Sequence, residues 1–123
     1  MSRCPVRPEE FLVAAERLLD DPSGEEGCLR SAAHASYYAV YHLAASHFHL
    51  DPTNRGEAKH ADVMALLDGA QLMRLPRGIR EAKRLYRRLW ALRTKADYRL
   101  AETFDQAEAE RALEYAKAVF AQT

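Results

Sequence analysis

Cysteine, glycine and proline are scarce in this chain, whose 123 residues include two cysteines, five glycines and five prolines. The two cysteines, Cys4 and Cys28, are too few for a disulfide framework, and their spacing is not that of metal ligands. The low glycine and proline content, together with 29% charged residues, excludes a collagen-like or disordered chain and favours a helical protein over an all-β one. A chain of this length is expected to form a single domain spanning residues 1–123.

The sequence also lacks a signal peptide and a convincing membrane span. The first ten residues, MSRCPVRPEE, contain no apolar core of the kind that a signal peptide requires. Residues 31–50 form a run of twenty without Asp, Glu, Lys or Arg, but the run contains four histidines, three serines and three tyrosines. We therefore expect a cytoplasmic protein without membrane contact, in which this run is a buried central helix.

An excess of one charge is missing from the chain as a whole, because 18 basic and 18 acidic residues cancel. The charges are nevertheless segregated: residues 74–99 contain ten basic and two acidic residues, so this segment carries +8 and the rest carries −8. Such a segment can attract phosphates, RNA or an acidic partner, and it can equally be a solvated arginine-rich face. Overall neutrality argues against strong indiscriminate binding to nucleic acid.

Apolar residues recur at helical spacing through most of the chain, and no stretch indicates a strand. The predicted helices cover residues 8 to about 19, about 25–49, 57 to about 67, about 77–95 and 105 to about 120. Pro8 suits the first turn of the first helix, and Asp105 with Glu108 forms a capping box at the start of the last. The predicted fold class is all-α, an antiparallel bundle of four main helices plus a short third one.

Arg93 is the residue that a plain helical bundle explains least. A helical period of about 100° per residue places it in the middle of an apolar face, within roughly 40 to 60° of five apolar residues of the same helix. Those neighbours are Ile79, Ala82, Tyr86, Leu89 and Trp90. Asp97 follows one turn later, still on the apolar side. A guanidinium and a carboxylate that face a core or an interface are costly unless they pair or bind a ligand.

Two explanations of Arg93 stay open at this point. It can pair with Asp97, or with a second subunit, and only order the structure. Alternatively, it can hold a phosphodiester bidentately while a neighbouring histidine or tyrosine exchanges protons with a ribose hydroxyl or the leaving oxygen.

The sequence lacks the residue patterns that a dinuclear metal site or an activated nucleophile requires. Glu57 and His60 form one ExxH motif, whereas a dinuclear carboxylate bundle requires two such motifs and further inward glutamates. Glycine-rich phosphate loops and a nucleophile elbow are also absent from the sequence. We expect neither a metal nor another cofactor.

Four stretches of the chain together resemble the HEPN superfamily, and more narrowly its small stand-alone prokaryotic members. In chain order they are SAAHASYYAVYHLA (31–44), KHADVMALL (59–67), LYRRLWALRTKADYRL (85–100) and FDQAEAERALEYAKAVF (104–120). The resemblance implies a helical bundle, commonly a homodimer with a shared polar cleft. Many members are metal-independent ribonucleases, and several form a toxin–antitoxin pair with a minimal nucleotidyltransferase.

The catalytic signature of that superfamily is an arginine and a following histidine with four to six residues between them. Arg93 matches the arginine, but Tyr98 stands at the first permitted histidine position and no histidine follows. Tyr98 lies roughly 140° from Arg93 in helical phase, so a regular helix is expected to keep the two apart, and only unwinding near Ala96 would bring them together.

The resemblance leads to two functional hypotheses. In the first, the protein is a ribonuclease or toxin component: Arg93 binds the scissile phosphate, Tyr98 orients it or donates a proton, and His60 or His34 is the base. Asp97 lines the same cleft, and the remaining basic residues proposed to hold flanking phosphates are Arg87, Arg88 and Lys95. In the second, the protein is a non-catalytic module that binds a nucleotide or docks a nucleotidyltransferase. The missing histidine favours the second hypothesis, and the basic segment favours the first without excluding the second.

Overall fold

The structure, a computed structural model, describes residues 7–51 and 60–123. These residues form five α-helices, with a 3-10 turn at Leu72–Arg74 and no strand in either described range. The helices are α1 Pro8–Leu19, α2 Glu26–His47, α3 His60–Gly69, α4 Arg77–Tyr98 and α5 Gln106–Phe120. The prediction of an all-α bundle is confirmed.

Local capping explains where several helices begin and end. At α5 the Asp105 carboxylate accepts a hydrogen bond from the Glu108 amide, while the Glu108 carboxylate accepts one from the Asp105 amide, at 2.9 and 3.0 Å. This is the predicted capping box. The end of α2 differs from the prediction, because His49 adopts a left-handed φ of 59° and the Leu50 amide donates back to the Ala45 carbonyl. That Schellman-type closure ends the helix at His47, two residues early.

Of two further boundaries, the start of the third helix is not tested and the end of the fourth differs from the prediction. The third helix was expected to begin at Glu57, which lies outside the described residues along with the rest of 52–59; its described part runs from His60 to Gly69. The fourth helix was expected to reach Lys95, but it continues without a break to Tyr98.

Helix α2 occupies the centre of the bundle and contacts all four other helices. Small residues make this possible, because Ala32, Ala33 and Ser36 are completely buried and let neighbouring helices approach closely. The Ser36 hydroxyl donates to the Ala32 carbonyl at 2.8 Å, so this buried polar group is satisfied. The expectation of a buried central helix is confirmed, and no described helix is long and apolar enough to cross a membrane.

Helix α4 packs against α2 with the apolar face predicted for it, including the completely buried Leu89. Its C-terminal end is held by Arg30 of α2. The Arg30 guanidinium donates to the carbonyls of Lys95 and Ala96 at 3.1 and 3.0 Å, to that of Arg99 at 3.3 Å, and to that of Glu102. Arg30 therefore satisfies backbone acceptors that every helix leaves unpaired in its last turn.

Candidate functional site

Arg93 is buried, with 8% of its surface exposed, and three side chains share its hydrogen bonds. Its Nε donates to Oδ2 of Asp97 at 2.7 Å, and its Nη2 donates to the hydroxyls of Tyr98 and Tyr38 at 3.2 and 3.4 Å. The guanidinium carbon also lies 5.2–5.6 Å from the ring centres of Tyr37, Tyr38 and Tyr98. An anion and three aromatic faces thus surround this cation.

The ionisation of Arg93 is set by opposing effects. Burial lowers its pKa, but Tyr38, Tyr98 and Asp97 together raise the pKa by more, so the net shift is upward. Arg93 is therefore a permanent positive charge at the bottom of the site.

Asp97 connects Arg93 to a histidine of another helix. Its Oδ2 lies 2.7 Å from Nε of Arg93 and 2.8 Å from Nδ1 of His34 on α2. The carboxylate is largely buried, whereas 46% of the His34 side chain is exposed. A carboxylate that accepts the Nδ1 proton fixes the imidazole tautomer and leaves Nε2 with a lone pair. No described residue forms a hydrogen bond with Nε2 of His34.

His60 lies on the other side of the tyrosines and uses both of its ring nitrogens. Nδ1 is 2.6 Å from the Tyr37 hydroxyl, and Nε2 is 3.2 Å from the Tyr38 hydroxyl. Tyr37 is in turn 2.7 Å from the hydroxyl of Tyr86, so a hydrogen-bonded chain extends into the core. Burial, followed by the charge of Arg93, lowers the pKa of His60, which keeps the imidazole neutral at neutral pH. Burial raises the pKa values of Tyr37 and Tyr86, so both phenols stay protonated.

Tyr98 corrects one expectation. Helix α4 is regular through Tyr98, yet the hydroxyl of this residue lies 3.2 Å from Nη2 of Arg93. Helical phase describes the Cβ direction only, whereas these two side chains are long enough to meet around the end of the helix. Tyr98 is also 67% exposed, so it forms the outer edge of the cluster.

The cluster formed by His34, Tyr38, His60, Arg93, Asp97 and Tyr98 is named the Arg93 cluster below. Three predicted substrate-binding residues lie away from it on other sides of α4. Lys95 donates to the Glu108 carboxylate at 2.6 Å, Arg87 pairs with Asp68, and Arg88 is exposed. Their proposed role with flanking phosphates stays a prediction.

Tyr38 and Tyr37 were not among the predicted site residues, although both contact the predicted ones. Tyr38 follows His34 by one turn of α2, with ring centres 4.5 Å apart, and this spacing was the available signal. The contacts of Tyr37 with His60 and Tyr86 span 23 and 49 residues, so no local pattern indicates them. The described residues contain no group of three or more His, Cys, Asp or Glu that could hold a metal ion, and Glu57 of the ExxH motif lies outside them.

Comparison with known proteins identifies the family. The family model described as HEPN domain matches residues 6–122, which is nearly the whole chain. The search of curated proteins and the search of solved structures each gave no match. The match includes every residue of the Arg93 cluster, and its length shows that the chain belongs to the HEPN domain family.

Proposed function

We propose that the Arg93 cluster is a phosphodiester site and that the protein is a metal-independent ribonuclease. The observation that carries this proposal is the shared carboxylate: Oδ2 of Asp97 contacts both the guanidinium of Arg93 and the imidazole of His34. One group thereby orients a phosphate-binding cation and a proton-transfer residue side by side.

Arg93 supplies the charge for the phosphate. A guanidinium has five N–H donors, and the donors on Nη1 have no acceptor among the described residues. They are available to a phosphate oxygen, and the charge is close to where negative charge develops as the phosphorus becomes pentacovalent. Tyr98, exposed at the edge of the cluster, donates its hydroxyl proton to a second phosphate oxygen.

His34, rather than His60, is the proton-transfer residue in this proposal. Its Nε2 is free of described partners and its side chain is half exposed, so a ribose 2′-hydroxyl can reach it. His60 has both nitrogens engaged by tyrosine hydroxyls and serves to orient Tyr38. His34 takes the 2′-hydroxyl proton, the 2′-oxygen attacks phosphorus, and the bond to the 5′-oxygen breaks. The departing 5′-oxygen then takes the proton that His34 holds.

The missing histidine of the family signature fits this assignment, because His34 on α2 brings an imidazole to Asp97 from outside the motif.

We also propose that the protein is a homodimer and a toxin-type component with a small nucleotidyltransferase partner. Large exposed side chains at Tyr98 and Leu100, beside the cluster, support an interface there.

Cleavage of mixed RNA in excess chelator tests the ribonuclease proposal. Arg93→Ala and His34→Ala are each expected to reduce the rate at least 100-fold, because each removes charge stabilisation or proton transfer. His49→Asn is the matched control, since this exposed residue has a left-handed φ that asparagine tolerates. Cleavage that persists in both site variants, or that requires a divalent cation, would exclude the proposal.

A non-catalytic nucleotide-binding or docking module is the second candidate. The absence of the signature histidine after Arg93 favours it. This function predicts that the protein binds a labelled nucleotide or co-purifies with a nucleotidyltransferase without cleaving RNA, and that Arg93→Ala weakens the complex. Cleavage that depends on Arg93 would rule it out.

A further inference from the structure

We propose that a basic cavity at the start of α4 binds a phosphoryl group, at a site separate from the Arg93 cluster. The cavity has a volume of about 700 Å³ and lies between the end of α3, the first turns of α4 and Gln122, which follows α5. Its charged lining consists of Asp68, Arg77, Arg80, Glu81, Lys83 and Arg84. Four cations therefore face two anions.

Ion pairs already neutralise both acids of the lining, one with a cation of the lining and one with an arginine outside it. Arg84 donates twice to the Glu81 carboxylate, at 2.8 and 2.9 Å, and Asp68 pairs with Arg87. Lys83 is directed to the end of α3, where its Nζ donates to the carbonyls of residues 67 and 68 at 2.8 and 2.9 Å. Three cations of the cavity thus pair with no described carboxylate, and because Lys83 has these carbonyl acceptors, Arg77 and Arg80 are left for a ligand.

Arg80 provides the most specific evidence. Its Nε is buried and has no hydrogen-bond partner within the described ranges. Buried donors in folded proteins nearly always have an acceptor, so the guanidinium of Arg80 lines the cavity without the partner that its burial calls for. The ligand must be anionic, because the neighbouring Arg77 adds a second positive charge.

The backbone of α4 adds to the same positive potential. The helix begins at Arg77, its first turn contains no acidic residue, and Pro76 provides no side-chain cap. The N-terminus of a helix has unpaired amides and a positive dipole end, so carboxylates are ordinarily favourable there. Here two arginines lie beside it instead, which makes the local potential more positive. A phosphoryl group matches this arrangement best, since it offers several acceptor oxygens and a charge of up to two for bidentate arginine contacts.

The cavity is distinct from the proposed ribonuclease site. Arg80 precedes Arg93 by thirteen residues, which corresponds to about 20 Å along the helix axis and a different face. The inference therefore does not depend on the proposed function, and each can fail alone.

Titration calorimetry with inorganic phosphate and with pyrophosphate, at fixed ionic strength, tests the proposal on the full chain. We expect saturable binding that weakens at least tenfold in Arg80→Gln and in Arg77→Gln. Arg111→Gln is the matched control, because Arg111 is exposed on α5 and does not line the cavity.

Amide chemical shifts of the wild-type protein provide a second measurement that does not rely on variants. Addition of inorganic phosphate should move the amides of residues 77–80 at lower concentrations than those of residues 93–98. Equal affinity in the wild type and all three glutamine variants, equal losses in Arg111→Gln and Arg80→Gln, or shifts confined to residues 93–98 would each overturn the proposal.

Discussion

Replacement of Arg30 by methionine should destabilise the protein more than any other single change to a surface-reaching arginine. Methionine has a similar length and packs well in a helix, but it cannot donate hydrogen bonds. The substitution removes the donors to the carbonyls of Lys95, Ala96, Arg99 and Glu102 while leaving the helix around residue 30 intact. It also removes the ion pair with Glu26, but that partly exposed i,i+4 pair contributes little, so most of the expected loss reports on the end of α4 and the turn that follows it.

The magnitude follows from the surroundings of these carbonyls. A hydrogen bond to a charged group contributes about 1.5–3 kcal/mol, and a buried acceptor left alone loses about 1–3 kcal/mol. The bond to Ala96 is fully buried and the others are partly buried, so water can replace some of them. Two effective losses amount to about 3 kcal/mol. For a chain of this length that corresponds to a decrease in Tm of about 10 °C.

Circular dichroism during thermal and urea unfolding measures this loss. Arg111→Met on α5 is the control, because Arg111 is exposed and its replacement should change the free energy of unfolding by less than about 0.5 kcal/mol. Arg30→Lys should recover less than half of the loss, since an ammonium cannot reproduce the planar fork of a guanidinium. If Arg30→Met were as stable as Arg111→Met, the four contacts would not support the end of α4.

Three further outcomes are expected around the Arg93 cluster. Tyr37→Phe should lower the free energy of unfolding by about 1–3 kcal/mol in urea titrations, because it leaves His60 and Tyr86 without their shared hydroxyl; an unchanged midpoint would contradict this. Because the pKa of His60 is lowered in the folded protein, the unfolded chain binds more protons at mildly acidic pH. The free energy of unfolding should therefore be highest above the ordinary histidine pKa of 6.5 and should decline as the pH falls below it. His60→Gln should reduce that decline. Asp97→Asn should lower the free energy of unfolding by about 2–3 kcal/mol and slow RNA cleavage at least tenfold, because Arg93 loses its anion and His34 loses its orienting group. Full activity in that variant would show that Asp97 has no role in the mechanism.

Features encoded by neighbouring residues were predictable from the sequence. The capping box at Asp105 depends on residues three apart, and the sequence specified it correctly. The burial of Arg93 also followed from its position on an apolar helical face, and its pairing with Asp97 was one of the two explanations that the sequence left open. The expected single domain and the cytoplasmic localisation are not tested by these observations and stay predictions.

Features that depend on side-chain reach or on packing between helices were not predictable. The helical angle between Arg93 and Tyr98 predicted that the two side chains lie apart. They are in fact hydrogen-bonded, because the angle takes no account of the length of either side chain. The choice of His34 over His60 as the proton-transfer residue depends on contacts between distant parts of the sequence. His34 contacts a residue that is 63 positions away, and His60 contacts one that is 23 positions away. Arg30 showed no signal at all, since its acceptors are carbonyls that any sequence would provide.

A motif read along one helix is therefore an incomplete criterion for activity in this protein. Arg30 and His34 are one turn apart on α2, and both contact the last turns of α4, the first through backbone carbonyls and the second through Asp97. The packing of α2 against α4 consequently fixes the end of the motif helix and the imidazole in the same step. A family member can lose the histidine of the motif without losing an imidazole beside the arginine, provided that α2 presents one at this position. The meaningful test for such proteins is the distance between the motif carboxylate and a histidine on the packed helix, which here is 2.8 Å.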